Sequence, residues 1–189
     1  MVLAEKGVSH AIEAVRGDAF PKDIEELNPY AQLPTLVDRD LVLYGSHVVV
    51  EYLDERYPHP PMMPVDPVAR ARARLLLYRI DRDWCGQIAE IESTTHESGK
   101  KQQKAAEKAR EQLRDSLTAL APLFSHYPFF MSDEVTVLDC AIAPILWRLP
   151  HLGIELPKTA AQATRDYALR LFARPSFVLS LTEDEREMR

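Results

Sequence analysis

The chain has 189 residues, 23 Lys or Arg against 29 Asp or Glu, a net charge of -6 and 46% hydrophobic residues. That length holds one large or two small domains around a real core. Without an apolar run long enough to span a bilayer, or a basic start leading into an apolar segment, the chain reads as soluble and cytoplasmic. The acidity is concentrated: residues 1–65 carry 5 basic and 11 acidic side chains, whereas residues 66–189 carry 18 of each. The first third therefore repels phosphate backbones and suits a basic protein surface, which argues against direct nucleic-acid binding there.

Residues 1–6 followed by Gly7 read as the end of a helix with its terminating glycine. Residues 10–15 alternate in strand fashion through Ile12 and Val15, and residues 16–28 are polar, with Ile24 and Leu27 anchoring a short helix or turn. Residues 33–37 and 41–44 are β-rich runs around Asp38, Arg39 and Asp40, which predicts a hairpin. Pro34 opens its first strand, and an isolated X-Pro bond favours trans by about 0.5–1 kcal/mol.

Next comes an amphipathic helix in which Val48, Val49, Tyr52, Leu53 and Tyr57 fall on one side and Glu51, Asp54, Glu55 and Arg56 on the other. It stops at Tyr57, because Pro58, Pro60 and Pro61 lack the amide hydrogen that a helix interior requires. His59 is thereby held on a stiff, polyproline-like elbow with its ring in solvent. By composition alone the elbow is a linker between domains 1–61 and 66–189.

Everything beyond it is helical. Pro67 suits the first turn of a helix reaching residue 92, with Val68, Ala71, Leu75, Leu76, Ile80 and Trp84 towards the core and Arg70, Arg72, Arg74, Arg79 and Arg82 on the polar side. A second helix over residues 100–124 carries Ala106, Leu113, Leu117, Leu120 and Phe124, and the two pack as an antiparallel pair. Thr136 and Asp139 form a capping box ahead of Ile142, Ile145, Leu146 and Leu149, each cap worth about 1 kcal/mol, and Pro144 kinks that helix. A last helix covers residues 159–172, with Pro175 and an acidic tail after it.

Catalytic signatures are sparse. There is no Gly-rich phosphate loop, CxxC or nucleophile elbow. His47 and Glu51 lie one helical turn apart but lack a third metal ligand, so they read as a surface pair. His126, Tyr127 and His151 fall at loops or helix ends. Cys85 and Cys140 sit in apolar helical patterns without an activating His or Lys, so they read as buried free thiols in a reduced compartment. Asp139 is accounted for by its cap.

The α/β first half with a proline opening its hairpin, and the helical second half with a capping box before a kinked helix, resemble the glutathione transferase superfamily. Asn28, Pro29 and the run Leu33, Pro34, Thr35, Leu36 resemble its thioredoxin-like half, and Thr136 to Asp139 its core-helix cap. The resemblance implies a cis bond before Pro34, backbone contacts from Leu33 to glutathione, and a Ser46 that holds the γ-glutamyl group. Two departures stand out. The strand supplying the thiol-activating Tyr, Ser or Cys has no counterpart among these residues, and Gly45 precedes Ser46 where the pattern has an acid or Gln.

Residues 51–61, the run Leu146 to Pro150 with Leu152, Gly153 and Ile154, and residues 181–188 resemble a regulatory branch of that superfamily. The branch implies no catalytic residue, no cofactor and no metal. It implies binding to bacterial RNA polymerase, through sigma factor or core subunits, by Pro58, His59 and Pro60 during stress or stationary phase. Leu33, Pro34 and Ser46 are then vestigial. The resemblance also implies a homodimer in which Glu51, Asp54 and Glu55 meet Arg70, Arg72 or Arg74, and it allows a heterodimer with a paralogue. The alternative is a glutathione-binding transferase or reductase with Leu33, Pro34 and Ser46 as its cradle.

Overall fold

The computed structural model describes residues 1–15, 22–95 and 98–189, which divide into two compact units, residues 2–63 and residues 64–189 with Met1. In the first unit, α1 (Val2–Glu5) ends in a Schellman turn. Gly7 adopts φ 63, its amide donates to Ala4, and Val8 donates back to Leu3. The strand expected over residues 10–15 is absent: that stretch has no ladder partner among the described residues, and Ile12 is exposed. Part of the polar segment, residues 16–21, lies outside the described residues; the remainder forms α2 (Lys22–Leu27).

β1 (Thr35–Asp38) and β2 (Leu41–Tyr44) pair antiparallel from Thr35 opposite Tyr44 to Asp38 opposite Leu41. Arg39 closes the hairpin at φ 57. The Leu33–Pro34 bond is cis, contrary to the preference of an isolated X-Pro bond and as the family resemblance implies. α3 (Ser46–Arg56) packs on β2 and α1 and buries Val49 and Leu53.

The second unit is helical. α4 (Pro67–Arg79) starts at Asp66, whose carboxylate caps the Ala69 amide. It runs through a π-turn, Ile80–Cys85, into α5 (Gly86–Glu92), with the Gly86 amide reaching back to the Asp81 carbonyl. The core stripe here is Ala73, Leu77, Ile80, Trp84, Ile88 and Ile91. Val68, Ala71 and Leu75, expected inside, are exposed instead. Two apolar stripes run side by side on this helix, and the buried one passes through Ala73 and Leu77.

α5 packs along α6 (Lys100–Ala119), which stops earlier than the periodicity suggests because Pro122 cannot continue it. Phe124 belongs to the separate turn α7 (Leu123–His126). α8 (Val137–Arg148) carries Pro144 and is the most buried helix, enclosing Val137, Ile142, Ala143, Ile145 and Leu146. It closes on a second Schellman turn, where Gly153 at φ 72 donates to Pro150 and Ile154 donates to Leu149. That geometry accounts for the Leu149 to Ile154 run, since both apolar ends of the turn are buried.

α9 (Gln162–Phe172) begins three residues later than expected and is followed by α10 (Pro175–Ser180) and α11 (Glu183–Arg186). Trp147, Phe172 and Phe177 pack as an aromatic triangle, and the Trp147 indole donates to the Glu185 carbonyl at 2.8 Å. Among the described residues no helix is long and apolar enough to cross a membrane.

Candidate functional site

The elbow is built from a shortage of donors. Pro58, Pro60 and Pro61 have no amide hydrogens, so the carbonyls around them cannot be satisfied by a local turn and need a donor from elsewhere. Lys6 supplies it. Its ammonium sits at 2.7 Å from the Tyr57 carbonyl, 2.5 Å from the Pro60 carbonyl and 2.6 Å from Asp54 Oδ1, which uses all three of its protons. Asp54 completes the brace by accepting the Met62 amide at 2.8 Å on Oδ1 and the Met63 amide at 3.1 Å on Oδ2. The four contacted backbone groups bracket the elbow, so its entry and exit are both fixed.

The ion pair is withdrawn from water: the Lys6 side chain is 0% exposed and that of Asp54 8%. Asp54 therefore does not lie on the polar face of α3, as its helical position suggests, but turns towards α1 and residues 57–63. An unpaired charge cannot persist there, which makes the two residues mutually dependent. Met62 and Met63 are buried beneath the elbow, whereas Pro58, His59, Pro60 and Pro61 are exposed. The His59–Pro60 bond is cis, so the segment is a tight bend and not a continuous polyproline helix.

Neither Lys6 nor Asp54 stands out in the sequence as a site residue. The proline run leaves carbonyls without a local amide donor, but water can serve them as well as a cation, so Lys6 could not be singled out from it.

A second loop is held in the same manner. Asn28 is fully buried, donating to the Gln32 carbonyl at 2.7 Å and Thr35 Oγ1 at 3.0 Å while its oxygen accepts the Tyr30 amide at 3.1 Å. This shapes residues 29–35 and presents Leu33 and Pro34, both exposed. Ser46 is exposed in the first turn of α3, behind Gly45 at φ 84. His47 and Glu51 are half-buried on α3, and among the described residues no three His, Cys, Asp or Glu side chains converge to hold a metal.

Thr136 and Asp139 form the expected capping box, yet Asp139 does more than cap. Fully buried, it also accepts the Phe130 amide at 2.8 Å and the Tyr167 hydroxyl at 2.6 Å. Neither Cys85 nor Cys140 is in a disulfide, and both are only half-buried, not buried as expected. Burial pushes the Cys85 thiol above its ordinary value, the Asp81 charge adds to this and Arg148 opposes it, so the nucleophilic thiolate is disfavoured.

Residues 1–56 match the profile of the glutathione S-transferase N-terminal domain and residues 69–175 that of the C-terminal domain. A stringent starvation protein A homolog of Coxiella burnetii is 51% identical over the whole chain, which spans 87% of that relative. One of Pasteurella multocida is 48% identical over 96% of the chain and 82% of its own length. The chain belongs to the stringent starvation protein A family. Its fold is that of glutathione transferases. The enzyme of Phanerochaete chrysosporium, solved with oxidized glutathione, superimposes with a TM-score of 0.83 at 19% identity, covering 100% of this chain and 90% of that one.

Like the loop over Asn28, the elbow combines a buried foundation with an exposed face. Gly45, which precedes the exposed Ser46, carries no side chain that could reach a ligand there.

Proposed function

We propose that this chain is a non-enzymatic, cytoplasmic transcription regulator that docks on bacterial RNA polymerase holoenzyme, through sigma factor or core subunits, by its Pro58–His59–Pro60 elbow. The observation that carries the reading is the exposed elbow on its buried Lys6–Asp54 brace. A surface fixed in advance loses little conformational entropy on binding, and the His59 imidazole between prolines donates or accepts a hydrogen bond. The acidic first third complements a basic partner surface and raises the rate of encounter.

A pull-down of purified holoenzyme tests it. The triple variant Pro58→Ala, His59→Ala, Pro60→Ala is expected to lose association at least tenfold with an unchanged helical CD spectrum; association retained by the variant would refute the elbow's role. Glutathione titrated into the same wild-type protein separates the second reading, which the exposed Leu33, Pro34 and Ser46 positions favour. Saturable heat at millimolar glutathione would support the transferase alternative.

A homodimer is part of the proposal. Val48 on α3 and Val68, Leu75 and Tyr78 on α4 are exposed apolar side chains that their own units leave uncovered. A seam between α3 of one subunit and α4 of its partner covers them, with Glu51 and Glu55 facing Arg72 at the rim. Asp54 is excluded from that seam because Lys6 holds it. Rim pairs contribute only about 0–1 kcal/mol each, so the apolar stripe dominates. Leu75→Glu is expected to shift the protein from dimer to monomer at micromolar concentration in sedimentation equilibrium; an unchanged dimer would place the seam elsewhere.

A further inference from the structure

The helical unit holds a cavity of about 240 Å³ between the π-turn, the end of α6, α7 and the loop at residues 130–131. Its wall includes Leu76, Ile80, Trp84, Leu120, Phe130 and Met131, with the Arg79–Asp83 pair and Ser116 as the polar groups. Trp84 Nε1 donates to Ser116 Oγ at 2.9 Å, so the indole nitrogen calls for no ligand atom. Arg79 and Asp83 face each other at 3.8 Å and are more than half exposed, which places the charge at the mouth.

The backbone accounts for the opening. The π-turn Ile80–Cys85 inserts a residue into the helix just where Ile80, Asp83 and Trp84 line the space, and such insertions recur at functional sites. Met131, at φ 57 and half exposed, forms part of the opposite side.

We propose that this cavity is a binding site for an uncharged bicyclic aromatic compound of indole size. An apolar cavity of about 150 Å³ accepts benzene, so 240 Å³ admits a second fused ring and no drug-sized ligand. Trp84 and Phe130 supply aromatic surface for offset or edge contacts, and no buried unpaired polar atom penalises an apolar guest. A polar edge on the guest, such as the indole N–H, orients towards Asp83 at the mouth. The site lies wholly within residues 76–131 and stands independently of the elbow.

The chain has two tryptophans, Trp84 in the cavity wall and Trp147 in the separate aromatic triangle. Unlabelled indole titrated into the ¹⁵N-labelled full chain should shift the Trp84 side-chain N–H signal saturably and leave that of Trp147 in place. Ala119→Phe, which crowds the same wall, should weaken the apparent affinity at least tenfold, and an unmoved Trp147 signal in the variant reports that it has folded. Both signals moving together, neither moving up to the solubility limit of indole, or equal affinity in the variant would overturn the assignment. So would a Trp84 signal that shifts with protein concentration alone, which would mean a side chain of a second copy fills the space.

Discussion

Asp54→Ala is expected to lower the stability of the first unit by about 3–5 kcal/mol and to abolish docking through the elbow. The reason is the buried Lys6 ammonium, whose side chain is fully withdrawn from solvent and would be left without its counter-charge. In a chain of this size each kcal/mol moves the melting temperature by roughly 2–4 °C, so a drop on the order of 10 °C should appear by CD. Amide exchange at Met62 and Met63 should accelerate as well, since both amides donate to the lost carboxylate.

The double variant Lys6→Met, Asp54→Leu separates two roles. Removing both charges relieves the desolvation penalty and should recover most of the lost stability. It leaves the Tyr57 and Pro60 carbonyls without their donor, so docking should stay impaired although the protein is stable again. A single variant costing under 1 kcal/mol would show that the pair is hydrated in solution. A double variant that docks normally would show that the brace has no part in presentation.

Much of this fold was legible from local chemistry. The terminating Gly7, the hairpin, the Thr136–Asp139 capping box and the proline elbow were each read from residues a few positions apart, and all are present; the Gly153 turn and the Thr182–Glu185 capping box are just as local and were not read. The other facts that escaped depend on sequence-distant partners. Asp54 was assigned to the polar face of α3 because helical spacing cannot register a lysine 48 positions earlier. Val68, Ala71 and Leu75 were assigned to the core because the helix carries two apolar stripes, and only tertiary packing selects between them. The strand expected over residues 10–15 met the alternation rule yet has no neighbouring strand to pair with among the described residues. At the candidate site, the exposed residues were read from the sequence and their buried supports were not.

Asp139 presents the same lesson in the second unit, and its replacement is expected to be among the most damaging in the chain. One carboxylate accepts the Phe130 amide, the Thr136 amide and hydroxyl, and the Tyr167 hydroxyl, so Asp139→Ala strands four donors at once. Leaving a buried partner unsatisfied costs about 1–3 kcal/mol each and the losses are not additive, so about 4 kcal/mol or more is expected in urea unfolding.

Tyr167 adds a pH signature. Burial holds its phenol far above the ordinary tyrosine range, and the Asp139 charge and hydrogen bond add to the effect. The folded protein thus keeps the proton above about pH 10, where the unfolded chain releases it. The sign follows: this contribution is fully present below about pH 10 and is lost as pH rises further, at about 1.4 kcal/mol per pH unit. Tyr167→Phe should cost about 1–3 kcal/mol at neutral pH, because Asp139 loses one donor, and should reduce the alkaline stability slope by one proton. An unchanged slope in the Phe variant would mean that the phenol ionises freely in the folded state and that Asp139 is hydrated; a slope reduced by one would fix Tyr167 as the buried partner that ties α9 to the start of α8.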